Sequence, residues 1–91
     1  GAMAGPGIQS RIESFQAGAC YVVTGVAQGA VDLDVSVYDA EGTVVGSDLG
    51  PENTATVRMC PRRSDSYRIE YRLYGAAQYL SMLFESREVR R

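Results

Sequence analysis

The 91-residue chain has 45% hydrophobic and 22% charged residues, the composition of one small globular domain. Its nine arginines, eleven acidic residues and lack of lysine give a net charge of −2, which argues against a nucleic-acid binder that depends on phosphate neutralisation. No apolar run reaches the roughly 20 residues of a membrane-spanning helix. We therefore expect neither a nucleic-acid partner nor insertion into a membrane.

The two ends of the chain stand apart from the expected domain. Residues 1–3 look like the remnant of a cleaved affinity tag, because an initiator methionine does not normally follow Gly-Ala. We expect residues 4–86 to form a single β-sandwich module. Residues 87–91 are interpreted as a frayed tail or the start of a linker.

The N-terminal part of the module fits two local structures. Ile8, Ile12 and Phe15 lie at helical spacing, but the flanking glycines leave only about ten residues, which is marginal for a helix. A strand over residues 11–16 is therefore preferred.

Apolar and polar residues alternate along the rest of the module, which is the pattern of half-buried strands. Asp39 and Gly42 predict a turn that makes residues 32–47 a hairpin. Pro61 ends the strand predicted over residues 55–60, because proline has no amide hydrogen to donate. Further strands are predicted over residues 19–26, 55–60, 66–74 and 78–85.

About seven strands with glycine-rich turns and no long helix predict an all-β fold, an antiparallel jelly-roll-like β-sandwich. One face of each strand should point into the core. The predicted inward residues are Val22, Leu33, Val35, Val37, Val57, Met59, Tyr67, Ile69, Tyr71, Leu73, Leu80, Met82 and Phe84.

Cys20 and Cys60 are the two cysteines of the chain. An even count in a small strand-rich domain favours a disulfide, which would compensate for a small core. The alternative is a pair of buried free thiols in a cytosolic protein. Zinc is disfavoured, because two cysteines without histidine are too few ligands.

Four aspartates fall on one predicted strand, its turn and the end of the next strand: Asp32, Asp34, Asp39 and Asp48. Calcium takes about six to eight oxygen ligands, so these carboxylates are a candidate calcium site. Their spacing does not match an EF-hand loop. The alternative is a solvated strand face on which Asp39 caps the turn.

Arg58, Arg68 and Arg72, with Tyr74 nearby, form a predicted outward row. Planar guanidinium groups beside an aromatic ring suit an acidic polysaccharide or a protein ligand. The alternative is that the arginines pair with Glu70 and other acids.

The charges are unevenly divided along the chain. Residues 1–57 carry one arginine and seven acids, whereas residues 58–91 carry eight arginines and four acids. If the two halves separate in space, the dipolar surface could join copies of the domain or neighbouring domains. The alternative is that the halves interleave in a sandwich, so that their charges largely cancel.

Five short segments of the chain occur in a recognisable order. They are residues 18–23, 31–39, 42–45, 66–69 and 75–80, which read GACYVV, VDLDVSVYD, GTVV, SYRI and GAAQYL. This order resembles that of the bacterial pre-peptidase C-terminal domains. The likeness covers about residues 11–85 and is greatest to the cysteine-containing variety of secreted and periplasmic proteins, in which Cys-Pro ends a strand as Cys60-Pro61 does here.

The resemblance implies a jelly-roll-like sandwich appended to an exported enzyme or surface protein. Such domains are non-catalytic modules for targeting, substrate binding or maturation; some relatives bind collagen, others polysaccharide, and some hold calcium. The chain itself has no histidine, and neither Ser64 nor Ser66 lies in a nucleophile motif. We therefore expect a binding or targeting module in the periplasm, at the cell surface or outside the cell, with a structural or assembly domain as the alternative.

Overall fold

The computed structural model describes residues 2–5, 8–27, 32–74 and 80–89, and for residues 2–5 and 80–87 it describes the backbone alone. These residues form eight strands in two four-stranded antiparallel sheets. The strands are β1 (Ala2–Gly5), β2 (Ile8–Phe15), β3 (Cys20–Ala27), β4 (Asp32–Tyr38), β5 (Val44–Asp48), β6 (Thr54–Met59), β7 (Asp65–Tyr74) and β8 (Leu80–Val89). The first sheet has the order β1-β8-β3-β6 and the second has β2-β7-β4-β5. The predicted all-β class is confirmed.

A single apolar core lies between the two sheets. Alternate residues of β4 and β7 enter it, because the pleat of a strand sends successive side chains to opposite faces. Tyr71, Leu33 and Ile69 are the largest of the fully buried side chains. The core comprises Phe15, Tyr21, Val23, Ala27, Leu33, Val35, Val37, Ala55, Val57, Met59, Tyr67, Ile69 and Tyr71.

The inward faces of β4, β6 and β7 were predicted correctly, and Val22 of β3 was predicted wrongly. Val22 is buried but lies outside the core, and its neighbours Tyr21 and Val23 enter it instead. Three apolar residues in a row hide the period of two, so the sequence did not show which of them points inward. Leu73 packs partly buried against the core. The side chains of Leu80, Met82 and Phe84 lie outside the described residues.

The sheet also extends beyond the predicted ends of the module. Strand β8 continues to Val89, where Glu88 and Val89 pair with Tyr21 and Cys20 of β3. Residues 87–89, which the sequence assigned to a tail, therefore belong to the first sheet. Residues 2 and 3, assigned to a tag remnant, pair with β8 as part of β1.

Strand β5 packs closely against β6 through Gly46. A Cβ atom at Gly46 would lie 2.6 Å from Cγ1 of Val57, a separation that real Cβ atoms do not reach. Any larger residue at position 46 would force Val57 or one of the two strands to shift.

The predicted disulfide between Cys20 and Cys60 is confirmed. It joins the first residue of β3 to the residue after β6, directly beside the pair Tyr21 and Met59. The bond therefore holds the start of the loop that leads from the first sheet to β7 in the second.

Ile69→Ala should lower the free energy of unfolding by about 2 to 5 kcal/mol, because Ile69 is fully buried between the sheets. Urea denaturation followed by circular dichroism measures the loss. Ile12→Ala is the matched control: Ile12 is 62% exposed on the neighbouring strand and should cost less than about 0.5 kcal/mol. Equal losses would show that the faces of the second sheet are assigned wrongly.

Cys20→Ala with Cys60→Ala should lower the free energy of unfolding by about 3 to 4 kcal/mol, because the disulfide closes a loop across a separation of 40 residues. The urea midpoint of the double variant should match that of the wild-type protein in reductant. A midpoint that reduction leaves unchanged would mean that the bond contributes nothing to stability.

Candidate functional site

Strand β7 places three charged side chains in a row on the outer face of the second sheet. Arg68, Glu70 and Arg72 alternate with its core residues, so they point away from the core. Arg68 Nη1 donates to Glu70 Oε2 at 3.0 Å, and Arg72 Nη2 donates to Glu70 Oε1 at 3.2 Å. We call these three residues the arginine ladder.

The central carboxylate of the arginine ladder is ionised at neutral pH. Burial of Glu70 disfavours its charge, but the hydrogen bonds and charges of Arg68 and Arg72 outweigh burial and hold the pKa of Glu70 below its usual value. The side chain of Glu70 is 16% exposed, whereas each arginine is 40% exposed. The ladder thus presents two guanidinium groups to solvent around one sheltered carboxylate.

Aromatic rings adjoin both ends of the arginine ladder. The guanidinium carbon of Arg68 lies 4.2 Å from the centroid of the Tyr38 ring on β4, a cation–π contact. Tyr74, at the end of β7, is 46% exposed. Each ring adds apolar surface beside a cation.

Two exposed isoleucines run along the other side of the ladder, on the adjoining strand β2. Ile8 lies opposite Arg72, and Ile12 lies opposite Arg68. Their exposed fractions are 50% and 62%. The isoleucines, the arginine ladder, Tyr38 and Tyr74 together form what we call the outer sheet face.

The structure brings together three of the four predicted binding residues. Arg68, Arg72 and Tyr74 share the outer sheet face, but Arg58 does not, because β6 belongs to the first sheet. The pairing of arginines with Glu70, the alternative interpretation, is what the structure shows for Arg68 and Arg72. The sequence analysis missed Ile8 and Ile12 as surface residues, although their alternation with Gln9 and Arg11 was a signal for a strand.

The four predicted calcium ligands do not form one cluster. In the part of the chain that the structure describes, no group of three or more acidic, cysteine or histidine side chains is placed to hold a metal ion. Asp39 Oδ1 accepts hydrogen bonds from the amides of Glu41 at 3.0 Å and Thr43 at 2.8 Å. Asp39 therefore caps its turn, as the alternative interpretation expected.

Asp48 is likewise engaged by backbone amides. Its Oδ1 accepts from Gly50 at 3.1 Å, and its Oδ2 accepts from Thr56 on β6 at 2.9 Å. The second contact links the edge of the second sheet to the edge of the first.

Asp32 and Asp34 remain as a pair on the outer face of β4. They lie opposite Tyr74 and Arg72 of β7. The Oδ1 atom of each is buried and has no hydrogen-bond partner among the residues that the structure describes. Burial, reinforced by the charge of Asp32, raises the pKa of Asp34, and the charge of Arg72 offsets this only in part.

The acidic and basic halves of the sequence interleave in the fold. Strand β7 lies between β2 and β4, and β8 lies between β1 and β3. Both described strands that lie wholly in the basic half are thus flanked by strands of the acidic half, which reduces any charge separation between the ends of the molecule.

No protein-family model matches the chain, and no curated protein sequence matches it. The resemblance to pre-peptidase C-terminal domains therefore stays a prediction. Among the described residues, no helix has the length and apolar character needed to cross a membrane.

Asp34→Asn should raise the melting temperature at about pH 7. The folded state holds the pKa of Asp34 above 3.8, so its ionised form lowers stability above the folded pKa, and this cost vanishes below pH 3.8, where both states are protonated. The gain should shrink as the pH falls toward that value, as thermal melts across the range would show. A gain that is constant with pH would contradict this account.

The same melts in chelator and in millimolar calcium test the calcium hypothesis separately. A ligand that binds only the folded state raises the melting temperature. A calcium-dependent rise in melting temperature that Asp34→Asn abolishes would support an ion at the aspartate pair. An unchanged melting temperature would contradict the calcium hypothesis.

Proposed function

We propose that this domain is a non-catalytic binding module of a larger exported protein, with the outer sheet face as its surface for a protein ligand. The observation that carries the proposal is the position of Ile8 and Ile12, largely exposed, directly beside the arginine ladder. Arginine and tyrosine are enriched at protein interfaces, and adjoining apolar residues mark interaction sites.

The location outside the cytoplasm is supported by the disulfide. Bonds such as Cys20–Cys60 persist in oxidising compartments and are rare in the cytosol. This supports a periplasmic, cell-surface or secreted module. The non-catalytic character is supported by the lack of histidine in the sequence.

The strand order supports the further proposal that the sandwich is jelly-roll-like, as the sequence predicts. Consecutive strands alternate between the sheets except at the β4–β5 hairpin, and the first and last strands are neighbours in one sheet. Eight strands wrapped in this way are consistent with the connectivity of a double-sheet jelly roll.

A structural or assembly domain is the second candidate, and the same surface favours it. Strand β2, which carries both exposed isoleucines, lies at the edge of its sheet in the described part of the fold. An edge strand with apolar side chains is a natural place for a second copy or a neighbouring domain to pack.

The binding test uses immobilised ligands of two classes, soluble collagen and polygalacturonate, with the domain as analyte. The wild-type domain should bind the protein ligand, collagen. The double variant Ile12→Ser with Tyr74→Ser should bind collagen at least about tenfold more weakly, because both side chains would contact it. Leu49→Ser is the matched control, because Leu49 is 64% exposed and lies outside the outer sheet face.

The outcomes separate the candidate functions. Equal losses of affinity in the test variant and the control would show that the outer sheet face is not the binding surface. Binding to polygalacturonate alone would show that the ligand is a polysaccharide and not a protein. Sedimentation equilibrium of the same proteins examines assembly. Self-association that the double variant weakens would favour the structural domain.

A further inference from the structure

A cleft with a volume of about 480 Å³ lies at the end of the sandwich where β6 leads into β7. Its volume falls in the usual range for ligand sites. Arg58, Arg62 and Arg63 line it, together with the apolar side chains of Val45 and Pro61. The loop between β6 and β7 supplies two of the three arginines, so the cleft is built from residues different from those of the outer sheet face.

Positive charge exceeds negative charge in this cleft. Asp39 is the one acid among its described lining residues, and its Oδ1 already accepts two backbone amides. Arg63 Nη2 lies 2.6 Å from Glu41 Oε2, but both side chains are more than half exposed, so this ion pair is weak and open to competition. The side chains of Arg58 and Arg62 make no hydrogen bond or ion pair within the described structure.

The loop that carries the arginines is held in place from several directions. The disulfide fixes its first residue, Cys60. The hydroxyl of Tyr67 donates to the carbonyl oxygen of Arg63 at 2.8 Å, and the amide of Ala17 donates to Ser64 Oγ at 2.9 Å. A loop that is ordered in advance loses little conformational entropy when a ligand binds.

We propose that this cleft binds the carboxylates of an acidic segment in a partner protein. A guanidinium group matches a carboxylate with two parallel hydrogen bonds, and Arg58 and Arg62 have their donors available. Val45 and Pro61 offer aliphatic surface to the rest of the segment. The aromatic residue of the lining, Tyr67, is only 4% exposed, so its ring gives no platform for a sugar. A peptide therefore fits this cleft better than an acidic polysaccharide.

Fluorescence anisotropy with a fluorescein-labelled hexaglutamate peptide tests the proposal at low salt. The wild-type domain should bind the peptide, and added salt should weaken the complex. Arg58→Gln with Arg62→Gln should weaken binding at least about tenfold. The matched control, Arg68→Gln with Arg72→Gln, removes the same charge from the outer sheet face and should change affinity by less than about twofold.

Three results would overturn the proposal: no binding at millimolar peptide, equal losses in the two double variants, or competition by polygalacturonate at a lower carboxylate concentration than the peptide requires. Backbone amide chemical shifts of the wild-type domain give a second test. Peptide should shift Arg62, Arg63 and Ser64; shifts confined to β2 and β7 would move the site to the outer sheet face. Loss of collagen binding in the Ile12 and Tyr74 variant would leave this result unchanged, so the two sites are tested independently.

Discussion

The two-residue period of strand β7 is the constraint on which both the core and the outer sheet face depend. Tyr67, Ile69 and Tyr71 fill the space between the sheets, and the residues between them, Arg68 and Glu70 among others, are sent to the opposite side. A slip of one residue would place charged groups in the core and aromatic rings in water. The energy of core packing therefore also fixes the spacing of the guanidinium groups outside.

The sequence revealed the parts of this structure that are encoded locally. Alternation identified the strands that have one solvated face, and the cysteine count identified the disulfide. It failed at Val22, where a run of apolar residues has no visible period, and it grouped Arg58 with Arg68. Both residues alternate in the same manner, but the sheet to which a strand belongs is set by long-range packing. The β6–β7 cleft was missed for the same reason.

The aspartates show how local hydrogen bonding decides what a carboxylate is available to do. Asp39 and Asp48 each satisfy two backbone amides, and these contacts hold a turn and a sheet edge in place. Asp32 and Asp34 each have a buried oxygen without such a partner in the described part of the chain, and they lie on the same face of β4. Four residues that look equivalent in the sequence thus divide into two that stabilise the backbone and two that repel one another.

The contact between Asp48 and Thr56 also bears on the behaviour of the protein at high concentration. A sheet edge with unpaired amides is a template for strands of other molecules, and many β-sheet proteins aggregate through such edges. Here the Asp48 carboxylate occupies an amide of β6 and places a negative charge along that edge. The amide of Thr56 is thereby unavailable to a strand of another molecule, and the charge of Asp48 disfavours edge-to-edge pairing at this point of β6.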